Sequence, residues 1–126
     1  MQFKDRYPII VTERKDACRD FWVKHLGFAV AFENDWFCYL AADGAVIAFM
    51  TPDHPSAPPG PETYSAGISM ELEVEDARTA LAELRATGKE PDYPLTDELF
   101  GQRRFSVRDP SGLWINIVQQ VGLPEA

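Results

Sequence analysis

Two periodicities of hydrophobic and polar positions divide this chain, and the switches between them mark its elements. Tyr7 to Glu13 is rich in β-branched residues and predicts a strand. From Lys15 to His25 the period lengthens. Ala17, Cys18, Phe21, Trp22 and Leu26 recur at helical spacing. Asp16 and Asp20 lie towards the start of that segment and Lys24 and His25 near its end, as the helix dipole favours, and Gly27 is placed to stop it. Three strands follow: Phe28 to Glu33, Trp36 to Ala41, and Ala45 to Thr51. Asn34-Asp35 and Asp43-Gly44 supply the turns, the second being a strong hairpin signal.

The segment from Pro52 to Gly67 breaks the pattern. Pro52, Pro55, Pro58, Pro59 and Pro61 are half of the chain's 10 prolines, a density that predicts a semi-rigid linker or long surface loop. Ile68 to Val74 then alternates as a strand. Asp76 is placed to cap a helix through Ala86 whose apolar stripe is Ala77, Ala80, Leu81 and Leu84, closed by Gly88. A short strand from Lys89 to Tyr93 and a loop from Pro94 to Gly101 lead into a hairpin of Gln102 to Arg108 and Leu113 to Gln120. The tail from Gly122 to Ala126 is expected to fray.

The order strand, helix, three strands therefore occurs twice, a repeat of about sixty residues. The expected division is module one at 5–51, a linker at 52–66 and module two at 67–121, within one domain. Neither module is large enough to bury a sufficient core alone. Pairing them predicts an α+β fold: a curved, mainly antiparallel, cup-shaped sheet with the helices outside and a ligand-sized concavity inside.

The last hairpin bears most directly on function. Asp109-Pro110-Ser111-Gly112 is turn chemistry. Beyond it Leu113, Ile115 and Ile117 point to one side, a purely aliphatic set that belongs in a core. Trp114, Asn116 and Val118 point to the other. An indole and an amide on one face suit the lining of a cavity. By the same parity Tyr7, Ile9 and Val11, Val46, Ala48 and Met50, and Ser69 and Glu71 line the cup. Trp36 and Cys38, or else Phe37 and Tyr39, join from the third strand.

A net charge of −8 argues against nucleic acid or an anionic membrane surface as partner, and could steer a cationic ligand. No apolar run is long enough to span a bilayer and the first residues show no signal-peptide pattern, so a soluble cytoplasmic protein is expected. Cys18 and Cys38 lack metal-ligand spacing and read as reduced, semi-buried thiols. His25, at a helix end, and His54, in the proline-rich stretch, read as exposed imidazoles. No nucleophile-base pairing or phosphate-binding glycine loop is present.

Phe21-Trp22-Val-Lys-His-Leu26-Gly27-Phe28, Glu73-Val74-Glu75-Asp76, and Phe100-Gly101-Gln102-Arg103 followed by Asp109-Pro110-Ser111-Gly112 together resemble the vicinal oxygen chelate superfamily, which groups glyoxalases, bleomycin-resistance proteins and extradiol dioxygenases. The resemblance runs from about Tyr7 to Gln120 and implies paired βαβββ modules, assembled as a homodimer. Its metal-dependent members carry ligands at positions that fall here near Tyr7 and on Ala48, Ser69 and Asn116. None of the four is a normal ligand for a divalent metal. Glu71 is a lone carboxylate on the Ser69 face.

No metal or cofactor is therefore expected. The resemblance implies a binding protein of the bleomycin-resistance type that sequesters a flat aromatic molecule or antibiotic, cationic ones being favoured by the acidic balance, in a groove shared by two subunits. The expected binding residues are Tyr7, Trp36, Tyr39, Ala48, Met50, Ser69, Glu71, Arg103, Trp114 and Asn116. The alternatives are a glyoxalase-like lyase, isomerase or dioxygenase whose atypical metal site includes Glu71, and a cup for an anionic ligand clamped by Arg103 or Arg104.

Overall fold

The computed structural model describes residues 1–53 and 63–122. His54, most of the proline-rich stretch and the last four residues lie outside the described part. The chain divides near residue 67 into two compact units, the turn Pro110–Gly112 grouping with the first.

The first unit runs β1 (Ile9–Val11), α1 (Lys15–Leu26), β2 (Ala29–Glu33), β3 (Phe37–Ala42) and β4 (Ala45–Met50), with sheet order β1-β4-β3-β2. β1 lies parallel to β4, and the other pairs are antiparallel. The helix forms where the period of 3.6 residues was read. Its Trp22 is fully buried, with its ring centroid 4.8 Å from that of Phe28 and 6.1 Å from that of Phe49. Gly27 at φ +73° takes the left-handed conformation that ends the helix. Asp43 and Gly44, at φ 47° and 85°, form the two-residue loop that Asp-Gly foretold, closing the Ala42–Ala45 pair. Two expectations need correction. The first strand is only three residues long, so Tyr7 precedes it. Trp36 sits in the β2–β3 turn, its N–H donating to Asn34 Oδ1 at 3.0 Å, rather than opening the third strand.

The second unit repeats the plan: β5 (Ser69–Glu73), α2 (Ala77–Ala86), β6 (Tyr93–Glu98), β7 (Gln102–Arg108) and β8 (Trp114–Gln120), ordered β5-β8-β7-β6. β5 runs parallel to β8. Asp76 caps α2 as expected, its carboxylate accepting from the N–H groups of Arg78 and Thr79 at 2.9 and 3.3 Å. Those bonds hold its carboxyl below the usual range. The aliphatic side of β8 is where parity put it. Leu113, Ile115 and Ile117 are buried with Phe105 and Val107, as are Ala77, Leu81 and Leu84 of α2. The Asp109 turn closes with Asp109 N–H on the Leu113 carbonyl at 3.0 Å and Leu113 N–H on Asp109 Oδ1 at 3.2 Å.

Residues 94–98, expected as loop, are strand. β6 is an edge strand, so the missing N–H of Pro94 removes no central ladder bond, and the register slips between Tyr93 and Thr96. The α+β class and the twice-used strand, helix, three-strand order stand. No helix among the described residues is long and apolar enough to cross a membrane.

Candidate functional site

Each sheet buries one face against its own helix and turns the other away from it. In the first unit the helix side carries Cys38 and Leu40 of β3 and Ile47 and Phe49 of β4, all fully buried. Burial pushes the Cys38 thiol up. The opposite face follows from register. Ile9 and Val11 pair with Ala48 and Met50, and Tyr39 and Phe37 pair with the same two residues from the other side. The third strand therefore contributes Phe37 and Tyr39, resolving the choice left open by the turn, and Trp36 has the parity of Cys38. Tyr7, although outside the strand, sets its ring edge-on to Tyr39 at 4.8 Å. Tyr39 donates to Asp5 Oδ2 at 3.0 Å, and its hydroxyl is pushed up, first by desolvation and then by that carboxylate. Ala48 and Met50 form a buried floor, while Tyr7, Ile9 and Phe32 are exposed around it. Phe32, aligned with Tyr39 through a bulge in β2, was missed because bulges shift parity without a sequence mark.

The face of the second sheet turned away from α2 is polar. Parallel pairing aligns Ser69 with Trp114, Glu71 with Asn116 and Glu73 with Val118. Antiparallel pairing aligns Arg108 with Trp114, Ser106 with Asn116 and Arg104 with Val118. The central row is fully connected. The buried Ser106 hydroxyl donates to Asn116 Oδ1, and Asn116 Nδ2 donates to Glu71 Oε1 at 2.6 Å. A carboxylate only accepts, so Glu71 fixes which way the amide points. In the next row the Arg108 guanidinium lies over the Trp114 indole, 5.1 Å from its centroid. At the other end the Arg104 guanidinium lies 5.0 Å from the Tyr93 centroid and 5.9 Å from that of Phe100. Arg104 Nε is buried without a hydrogen bond and 3.7 Å from Glu98 Oε1, which already accepts from the Tyr93 hydroxyl at 2.6 Å.

Arg103 needs a correction. It lies on the α2 side of β7, away from Asn116, and pairs with Asp97 at 2.7 Å. Of the two arginines it is Arg104 that shares the polar face. Ser106, Arg108 and Tyr93 were also missed, because only the strand register shows that they meet Asn116, Trp114 and Glu98.

The model of the Glyoxalase/Bleomycin resistance protein/Dioxygenase superfamily matches residues 7–117. The chain belongs to this superfamily. Solved structures share its fold. A glyoxalase/bleomycin resistance protein/dioxygenase from Nocardioides aligns over 100% of this chain and 91% of its own, at 20% identity and a TM-score of 0.77. A superfamily member from Sphaerobacter thermophilus gives 94% and 98%, at 22% identity and 0.73. TioX from Micromonospora sp. ML1 gives 94% and 99%, at 18% identity and 0.68. No curated protein matches the chain.

The resemblance to metal-dependent members puts their ligand positions near Tyr7 and on Ala48, Ser69 and Asn116, none of which carries an imidazole or a carboxylate. The residues present do not fit a divalent ion. Ala48 has no donor atom. Asn116 turns its NH2 group, a pair of donors, towards the one carboxylate within reach. Among the described residues no three His, Cys, Asp or Glu side chains come together to hold a metal.

Proposed function

We propose that this superfamily member is a metal-independent small-molecule binding protein of the bleomycin-resistance type. In this reading it sequesters a flat, cationic aromatic ligand and acts as a homodimer. The observation that carries it is the hydrogen-bonded row Ser106–Asn116–Glu71, which holds an amide at the position where the resemblance puts a metal-binding carboxylate. The chemistry left to each sheet is recognition. On the first, Tyr7, Tyr39 and Phe32 supply aromatic surface; on the second, Trp114 and Glu71 supply an indole and a carboxylate.

Equilibrium dialysis against planar cationic drugs, with elemental analysis of the same preparation, tests this reading. The expected result is saturable binding by a dimer that carries no stoichiometric zinc, iron, nickel or manganese and that binds equally well after treatment with a chelator. Stoichiometric metal, or the absence of saturable uptake, would overturn it.

A further inference from the structure

The polar face of the second sheet holds three carboxylates, and they differ in what neutralises them. Glu98 has Arg104 3.7 Å away and the Tyr93 hydroxyl on its Oε1. Glu73 accepts from the Gln120 amide at 2.9 Å at the far end of the strand. Glu71 lies in the middle and, like Glu73, accepts from an amide and has no ion pair among the described residues, but its amide partner is buried. It is exposed, yet it is anchored from beneath by two buried polar side chains, Asn116 and Ser106.

Burying an amide and a hydroxyl is unfavourable unless both are satisfied. Here they satisfy each other in one direction only, hydroxyl to amide oxygen and amide NH2 to carboxylate. The result is an exposed carboxylate held at Oε1, in the row next to an indole with 37% of its surface exposed. The Arg108 guanidinium over that indole comes from β7, the neighbour of β8 on the side opposite to β5 and Glu71. On its other side β8 borders β5, where Ser69 pairs with Trp114 and Glu71 pairs with Asn116, the next residue on that face.

An anchored carboxylate beside an aromatic face recognises an organic cation, the carboxylate through a charge-assisted hydrogen bond and the ring through its quadrupole. We infer that Glu71, held by Ser106 and Asn116, is the charge selector of this protein: it accepts a protonated amine or amidine carried on a planar ring system that stacks on Trp114. This rests on the binding function proposed above and adds to it the residue that sets ligand charge.

The test uses three tricyclic probes of one shape: 9-aminoacridine, acridone and acridine-9-carboxylate, which are cationic, neutral and anionic near neutral pH. Binding to the full chain is followed by probe fluorescence anisotropy. Wild type is expected to bind the cation at least about tenfold more tightly than the neutral probe, and the anion least. Glu71→Gln keeps an acceptor for Asn116 but removes the charge. It should weaken 9-aminoacridine by about tenfold and leave acridone unchanged. Ser106→Ala keeps the charge but loosens its anchor, and should cost the cation about threefold with acridone again unchanged. Trp114→Ala should weaken all three probes. If the probes bind wild type with equal strength, or Glu71→Gln changes cation and neutral probe alike, the selector role is wrong while the binding function survives. If no probe saturates wild type, the binding function falls and takes the selector with it.

Discussion

The row Ser106–Asn116–Glu71 makes a quantitative claim about stability that can be separated from ligand binding. Ser106 is 2% exposed and Asn116 9% exposed. Ser106→Ala deletes the donor to Asn116 Oδ1 and leaves that oxygen buried without a partner, at a cost of about 1–3 kcal/mol. Asn116→Leu, close in volume, instead strands the Ser106 hydroxyl, with a similar cost of about 1–3 kcal/mol, while the exposed Glu71 carboxylate turns to water. In the double variant both orphans vanish together. With each single change near 2 kcal/mol, independent action predicts a loss of about 4 kcal/mol, and a shared bond whose orphans both vanish predicts a loss of about 1 kcal/mol or less, a coupling of about 3 kcal/mol. Urea unfolding of the four proteins, followed by far-UV and near-UV circular dichroism with coincident transitions, reads this directly. In thermal melts each kcal/mol corresponds to about 4 °C for a chain of this size. Additivity of the two single losses to within about 0.5 kcal/mol would refute the connected row.

Three further expectations concern the scaffold. Trp22 is fully buried among Phe28 and Phe49, so Trp22→Ala should cost about 3–5 kcal/mol, a large part of the total stability of a small protein, seen as a cooperative melt lowered by more than 10 °C (about 4 °C per kcal/mol) or lost; a melt near that of wild type would contradict the packing. Cys18 and Cys38 are both fully buried, and burial pushes the Cys38 thiol up, so neither should react with a thiol reagent in native buffer and both should react in urea; rapid native labelling of Cys38 would show that the helix side of the first sheet opens. The Asp76 carboxyl is held low by the N–H groups of Thr79 and Arg78, so its contribution is complete above about pH 4 and fades as pH falls through its lowered native value; Asp76→Asn keeps the cap but not the titration, and its melting temperature should fall less steeply than wild type below about pH 4, parallel curves refuting the assignment.

How much of this was legible in the sequence depends on the range of the interactions involved. Both helices and the Asp43-Gly44 hairpin rest on contacts within a few residues, and periodicity with cap and turn chemistry was enough for them. Errors came where a local rule met a sheet. Pro94 reads as a strand breaker, but on an edge strand its missing N–H faces no partner, so β6 continues through it. Trp36 has strand-like neighbours, but Asn34 holds its N–H in a turn. Arg103 and Arg104 alternate on one strand, and no rule internal to that strand says which shares a face with Asn116. The pairings Ser106–Asn116 and Arg104–Val118 do. Lys15 is the clearest surprise. It is 5% exposed at the start of a helix, and its charge is met by the Asn34 carbonyl at 3.0 Å, Asp16 at 2.9 Å and Glu33 at 3.8 Å. Asn34 and Glu33 come from outside the helix, and so are invisible to its periodicity.

Asn116 ties the local and long-range levels together. Strand parity was sufficient to place it opposite the aliphatic core, and the family resemblance marked it as a position where metal-dependent members carry a carboxylate. Neither says what takes the place of the missing interaction. In a sheet an uncharged amide at a buried position must find both a donor and an acceptor, and the two neighbouring strands offer one each: Ser106 from β7 and Glu71 from β5. Satisfying the amide therefore fixes a carboxylate at the surface. The same substitution that makes the position unfit for a divalent ion leaves an oriented negative charge beside Trp114. A carboxylate at 116 would instead face Glu71 as a second like charge, which a cation between them or a proton shared by the pair would have to offset.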